Sequence, residues 1–268
     1  MTIASKLPAK TVLSTHRKLP VSKEKNASGT PTRLPTHLDL PCSDDKPVDN
    51  DYHPLQTMIL RSSLAPHLER LHPDGNYYVG SDTGIYWKLT DPLENGIRAP
   101  DFFYVPNVPR LLDGKLRRSY VMWMEKKPPL LVVEYLSGKG REERDATPHK
   151  EKFWVYEKAI RAKYYALWDP DKEKLEVLEL KRRKYQPMSA NSHGRFAIAP
   201  MAIELGPWKT TFLDTPEVWL RAFDREGNLL LAAEEMVDRE KQRAEQEKQR
   251  ADKLAARLRE LGIDPDSP

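Results

Sequence analysis

A carboxylate is costly inside an apolar run, and this chain places one there. Pro129-Leu130-Leu131-Val132-Val133-Glu134-Tyr135-Leu136-Ser137 reads as a strand buried on both faces, with Glu134 near its end. Such a group needs a cation, a metal or hydrogen-bond donors to meet it. Two other residues could share the work: Asp101, directly after Pro100, and Lys152, in the helical stretch that follows. Two carboxylates on adjacent strands can hold a hard divalent cation, which prefers oxygen ligands and keeps several waters. A nearby ammonium can hold or deprotonate an attacking water and offset the negative charge of a phosphodiester transition state. In outline this is the chemistry of phosphodiester hydrolysis.

Each residue also has a plainer reading. Asp101 could cap a turn after proline, and Glu134 could pair with Arg98 or Arg141. Lys152 competes with Lys150 and Lys158, and a solvated helix lysine is as good a reading as a catalytic one. Tyr156, four residues after Lys152 and so on the same helix side, reads as a core aromatic rather than a catalytic group. Glu69 is an auxiliary acid at most. His149 and His193 have no second histidine at ligand spacing and read as surface or loop residues.

The elements that must position these groups follow from apolar spacing and turn residues. Leu55 to Leu71 predicts one or two short helices, with Pro66 at a first turn or a break. Tyr77–Val79 and Gly84–Leu89 read as strand segments, and Ile97–Val105 as one strand interrupted by its proline. After the Glu134 strand comes a charged loop, then a helix over Pro148–Ala162 with Phe153, Tyr156 and Ile160 on one face. Lys163–Trp168 is a strand stopped by Asp169-Pro170-Asp171, and Leu175–Leu180 is its hairpin partner. Arg195–Leu205 carries another strand-like run, and Pro216–Phe223 reads as a short helix or turn.

The 268 residues are 31% charged and carry a net charge of +4, which permits a nucleic-acid partner without a dense basic block to demand one. The single cysteine, Cys42, excludes an intramolecular disulfide and a thiolate zinc site. No apolar run is long enough to span a bilayer, so the expectation is a protein of the cytoplasm without membrane contact. Residues 1–51, rich in Pro, Ser, Thr and Lys, read as a disordered tail in preference to a targeting segment. A folded domain over 52–227, a charged helix over 228–262 and a tail over 263–268 complete the expected organisation.

Within that helix Glu240–Gln246 is followed by the near-copy Glu247–Lys253, a heptad repeat. Val237, Ala244, Ala251 and Leu258 mark one seam position, and Glu240, Glu247, Leu254 and Leu261 the other. Eight acidic and eight basic residues balance along it, so it is no basic arm for DNA. A solvated single helix and a coiled coil that pairs two copies are equally good readings.

The order of these parts resembles the Uma2 family, a cyanobacteria-rich family of the PD-(D/E)XK restriction-endonuclease-like superfamily. The residues that carry the resemblance are Ala99-Pro100-Asp101, Val132 through Ser137, Asp145, Lys152-Phe-Trp-Val-Tyr156 and Lys163 through Pro170, within a stretch from Leu55 to Phe223. The ending Leu-Gly-Ile-Asp-Pro is similar to the tail of many cyanobacterial members. The resemblance implies an α/β fold with a mixed central sheet flanked by helices, plus the long C-terminal helix. It implies Asp101, Glu134 and the backbone carbonyl of Tyr135 as ligands of Mg (or Mn), Lys152 as the catalytic lysine, and DNA as the substrate of a metal-dependent endonuclease. Two departures stand out. The wider superfamily carries its lysine two residues after the glutamate, where this chain has Leu136, and the gap from Asp145 to Lys152 is lengthened by Thr147-Pro148-His149. They motivate an alternative: a non-catalytic module of nuclease fold that binds nucleic acid or protein and oligomerises through its C-terminal helix.

Overall fold

The computed structural model describes residues 34–40, 50–137, 140–149 and 151–261. Its centre is a six-stranded mixed sheet. In spatial order the strands are β1 (Tyr77–Gly80), β4 (Phe102–Pro106), β6 (Leu131–Tyr135), β7 (Tyr164–Asp169), β8 (Lys174–Lys181) and β9 (Lys184–Pro187). β6 runs antiparallel to β4 and parallel to β7, so it is an interior strand with ladder bonds on both edges. This accounts for the apolar residues that surround Glu134 in it.

Alternate residues of β6 serve different cores. Leu131, Val133 and Tyr135 face a layer made by helix α1 (Tyr52–Leu71) and a three-stranded sheet of β10 (Phe196–Ile198), β11 (Ile203–Phe212) and β12 (Thr215–Phe223). Val132 and Leu136 face the opposite layer, with Val155, Tyr156 and Ile160. These belong to the π-helical turn Val155–Ile160 that continues α4 (Lys152–Trp154). A small third sheet joins β2 (Ile85–Tyr86), β3 (Ile97–Arg98) and β5 (Tyr120–Val121), followed by the short α2 (Met122–Glu125).

Four expectations from the sequence change. Helix α1 is continuous through Pro66. Leu60, Leu64 and Leu68 lie one turn apart on both sides of the proline and are buried. At roughly 1.5–3 kcal/mol each, their burial exceeds the ~3 kcal/mol that an interior proline costs. The run 97–105 is two strands in two sheets: β3 pairs with β2, while β4 lies between β1 and β6. Pro100 separates them, because it has no N–H for a ladder bond and restricts Ala99 before it. The segment 216–223 is not a helix or turn but most of β12, paired with β11 along its length. Gln56 of α1 locks it there, accepting from the Leu220 amide at 2.8 Å and donating to the Leu220 carbonyl at 2.9 Å. The helix expected over 148–162 is α-helical only at its start and widens into the π turn, ending at Arg161 in a left-handed conformation.

Part of the expected N-terminal tail is also packed. Leu40 and His37 are buried, the Pro35 carbonyl accepts from the Trp123 indole at 3.0 Å, and the Arg118 amide donates to His37 Nδ1. The rest of the expected tail, at 1–33 and 41–49, lies outside the described residues, as does the segment 262–268. At the other end, helix α5 (Ala233–Glu260) buries none of its residues. It is rooted at its first turn, where Glu235 accepts from the Ala232 amide and from the buried Arg221 of β12, and where the Ala233 amide donates to Ser62 of α1. Among the described residues no helix is long and apolar enough to cross a membrane.

Candidate active site

The register of the central sheet explains how Asp101 comes beside the end of β6 that carries Glu134. Phe102 pairs with Val133 across β4 and β6, and one further step along the same antiparallel register sets Asp101 opposite Glu134. Directly opposed residues project on the same face of a sheet. Asp101 precedes β4, and its Oδ2 accepts the Tyr135 amide at 2.5 Å, which ties the entry of β4 to the carboxyl end of β6. The plainer reading of Asp101 as a local turn cap gives way to this cross-strand bond.

Glu134 is fully buried, and both of its oxygens are engaged. Lys152 Nζ lies 2.9 Å from Oε2, and the Tyr156 hydroxyl donates to Oε1 at 2.6 Å. Lys152 therefore fills the cationic role that the sequence left open. Tyr156 is at once a buried core residue and a donor to Glu134, which the reading as a plain core aromatic missed; the i, i+4 relation to Lys152 was the available signal. Lys158 is elsewhere, bonded to Glu157 and the Arg183 carbonyl. Lys150 and the side chain of Arg141 lie outside the described residues. Leu136, at the position where the wider superfamily has its lysine, is a buried core residue.

Two groups at the site had not been singled out. Glu143, on the single-turn α3 (Arg141–Arg144), accepts from Lys152 Nζ at 3.2 Å, so one ammonium spans two carboxylates. His53 of α1 places Nδ1 3.4 Å from Asp101 Oδ1 and its ring edge-on to Tyr135. Neither had a distinguishing sequence signal: Glu143 sits in Arg-Glu-Glu-Arg beside an equivalent neighbour, and His53 precedes the apolar spacing of its helix. Glu69 is excluded as an auxiliary acid, since sixteen residues of α1 separate it from His53, about 24 Å of helix.

The electrostatics follow from burial. Desolvation pushes the Glu134 carboxyl up to about 8; the Lys152 ammonium pulls it back, Asp101 adds to the rise, and the Tyr156 hydroxyl lowers it. For Lys152 burial opposes the charge, but Glu134 and Glu143 more than offset it and hold the ammonium protonated above the ordinary lysine range.

These donors fit a hard divalent cation. Among the described residues no three His, Cys, Asp or Glu side chains are gathered to hold a metal by themselves. A cation such as Mg2+ needs only one or two carboxylates, completing its shell with waters. Asp101, Glu134 and the carbonyl of Tyr135 are all-oxygen donors, and a positive group, the Lys152 ammonium, already sits against Glu134 in the role such an ion would take.

No curated protein matches the chain. Among solved structures it is similar to one titled "putative nuclease belonging to DUF820", from Anabaena variabilis ATCC 29413. That similarity is at 13% identity, over 58% of this chain and 83% of that one, with a TM-score of 0.33. The model of the Uma2 family, described as "Putative restriction endonuclease", matches residues 46–215, a span that includes Asp101, Glu134, Glu143, Lys152 and Tyr156. With well over half of its length covered by that match, the chain belongs to the Uma2 family.

Proposed function

We propose that the protein is a metal-dependent endonuclease that hydrolyses phosphodiester bonds in DNA. The observation that carries this reading is the convergence at the carboxyl end of β6: Asp101 bonded to the Tyr135 amide, and the Lys152 ammonium 2.9 Å from the buried Glu134. Asp101, Glu134 and the Tyr135 carbonyl would hold Mg2+ or Mn2+, which when bound polarises a phosphoryl oxygen and lowers the pKa of its water. Tyr156 orients Glu134 by holding Oε1, leaving Oε2 to a cation. Lys152 orients the attacking water and places positive charge beside the phosphate oxygens, where negative charge builds in the transition state. Its position on a helix rather than on the Glu134 strand does not prevent this, because its ammonium reaches the same carboxylate.

The direct test is nicking of supercoiled plasmid by purified protein with Mg2+ or Mn2+. Nicking is expected from the wild type and is expected to fall more than about 100-fold in Glu134→Ala. Equal nicking by the variant would remove Glu134 from the site. Absence of divalent-metal binding in the wild type, with an unchanged melting temperature in Glu134→Ala, would favour the non-catalytic module instead.

Residues 52–227 would form the domain that carries this activity. The exposed α5, with its heptad seam, would join two copies of the chain, which suits an enzyme acting on two strands. Truncation after Asn228 should then lower the mass measured by light scattering; a monomer before and after truncation would end that idea.

A further inference from the structure

Lys152 is shared between two acids, and the sharing is uneven. Its ammonium is 2.9 Å from Glu134 Oε2 and 3.2 Å from Glu143 Oε1, with Glu134 almost wholly enclosed and Lys152 about one quarter exposed. Glu143 is held in place from the other side, since the buried Tyr165 of β7 donates its hydroxyl to the Glu143 carbonyl at 3.0 Å. Two carboxyl groups, those of Glu134 and Glu143, thus share one lysine. A divalent ion bound to Glu134 Oε2 would sit where the ammonium now sits, and two positive groups cannot share that oxygen closely. The ammonium must yield, and a second carboxylate lies within its present reach.

We propose that Glu143 is a positioning residue that acts through Lys152: it receives the ammonium when a divalent cation takes Glu134, and keeps it beside the cation. Lys152 is then a placeholder on the empty acid pair and a retained neighbour of the loaded one. This inference rests on the metal-site reading above and adds to it a residue and an exchange.

The test is calorimetric titration of Mn2+ into the full chain as wild type, Lys152→Met, Glu143→Gln and the double variant, with no nuclease readout required. Removing the competing ammonium should tighten Mn2+ binding in Lys152→Met. Glu143→Gln should weaken it about tenfold, the scale on which outer partners act on metal affinity, because the displaced ammonium loses its second carboxylate. In the Lys152→Met background the same Glu143→Gln change should alter affinity by less than about threefold, and Glu143→Asp should restore near-wild-type binding. Lys152→Gln provides a second lysine deletion if the Met variant does not fold. An equal loss from Glu143→Gln with and without the lysine would overturn the proposal, since Glu143 would then act on the metal directly. Unchanged affinity in both lysine deletions would overturn it as well. Heat from none of the proteins would overturn the metal site itself, a different failure from the other two.

Discussion

Two buried ion pairs in this protein are built on opposite principles. Arg117 and Glu125 form a closed pair. The guanidinium spans both Glu125 oxygens at 2.7 and 3.1 Å, donates its remaining amine to the carbonyls of Pro109 and Arg110, and lies over the Tyr78 ring. One positive group meets one negative group, and its other amine bonds two backbone carbonyls. The Lys152 cluster is open: one compact ammonium serves two acids, Glu134 and Glu143, and a third acid, Asp101, stands by them on the Tyr135 amide and the His53 ring. A matched pair has nothing to gain from an added cation. An acid-rich cluster does, so charge imbalance rather than burial separates the group that maintains the fold from the group poised for chemistry.

Mutation can sharpen that contrast. The largest stability effect is expected from Arg117→Met, which strands the Glu125 carboxylate and should lower unfolding free energy by about 3–5 kcal/mol in urea titrations. Metal-dependent nicking per folded molecule should survive it. Lys152→Met should do the reverse. The Glu134 carboxyl, already pushed up to about 8, can take a proton when its ammonium is lost, so the stability change should stay below about 2 kcal/mol while nicking falls by about 100-fold or more. If instead Lys152→Met unfolds the protein as readily as Arg117→Met, the distinction between the two pairs collapses. A smaller effect is expected from Tyr156→Phe: loss of one hydrogen bond to Glu134, worth roughly 1.5–3 kcal/mol for a charged acceptor, should slow nicking about tenfold. A measured rate equal to wild type would show that Oε1 needs no anchor.

The sequence made the open cluster partly visible for a physical reason. Glu134 was conspicuous because an apolar interior strand does not tolerate a carboxylate, whereas helical spacing put Lys152 and Tyr156 on one side of their helix without showing that Tyr156 donates to Glu134. Glu143 was invisible because nothing local singles it out within Arg-Glu-Glu-Arg; its backbone carbonyl is held by Tyr165, twenty-two positions away. His53 depends similarly on the packing of α1 across the ends of β4 and β6. Five of the six strand segments of the central sheet were legible, β9 being passed over, but which sheet each joined was not. Nothing local in Ile97–Val105 says that its two halves pair with different partners. Strand β12 was misread because it contains Pro216 and a wholly buried Arg221, and both blur the alternation that marks a strand. The partner that makes Arg221 acceptable, Glu235, lies beyond the strand on α5.

That last contact has a mechanical consequence. Helix α5 is a cantilever: 28 residues, about 42 Å of rod, with its only described fixings in the first turn at Arg221, Glu235 and Ser62. Its clamp stands on the layer formed by α1 and β12, whereas Glu134 projects from the opposite face of the central sheet. Load applied at the far tip is borne by the clamp, on the face of the central sheet opposite Glu134.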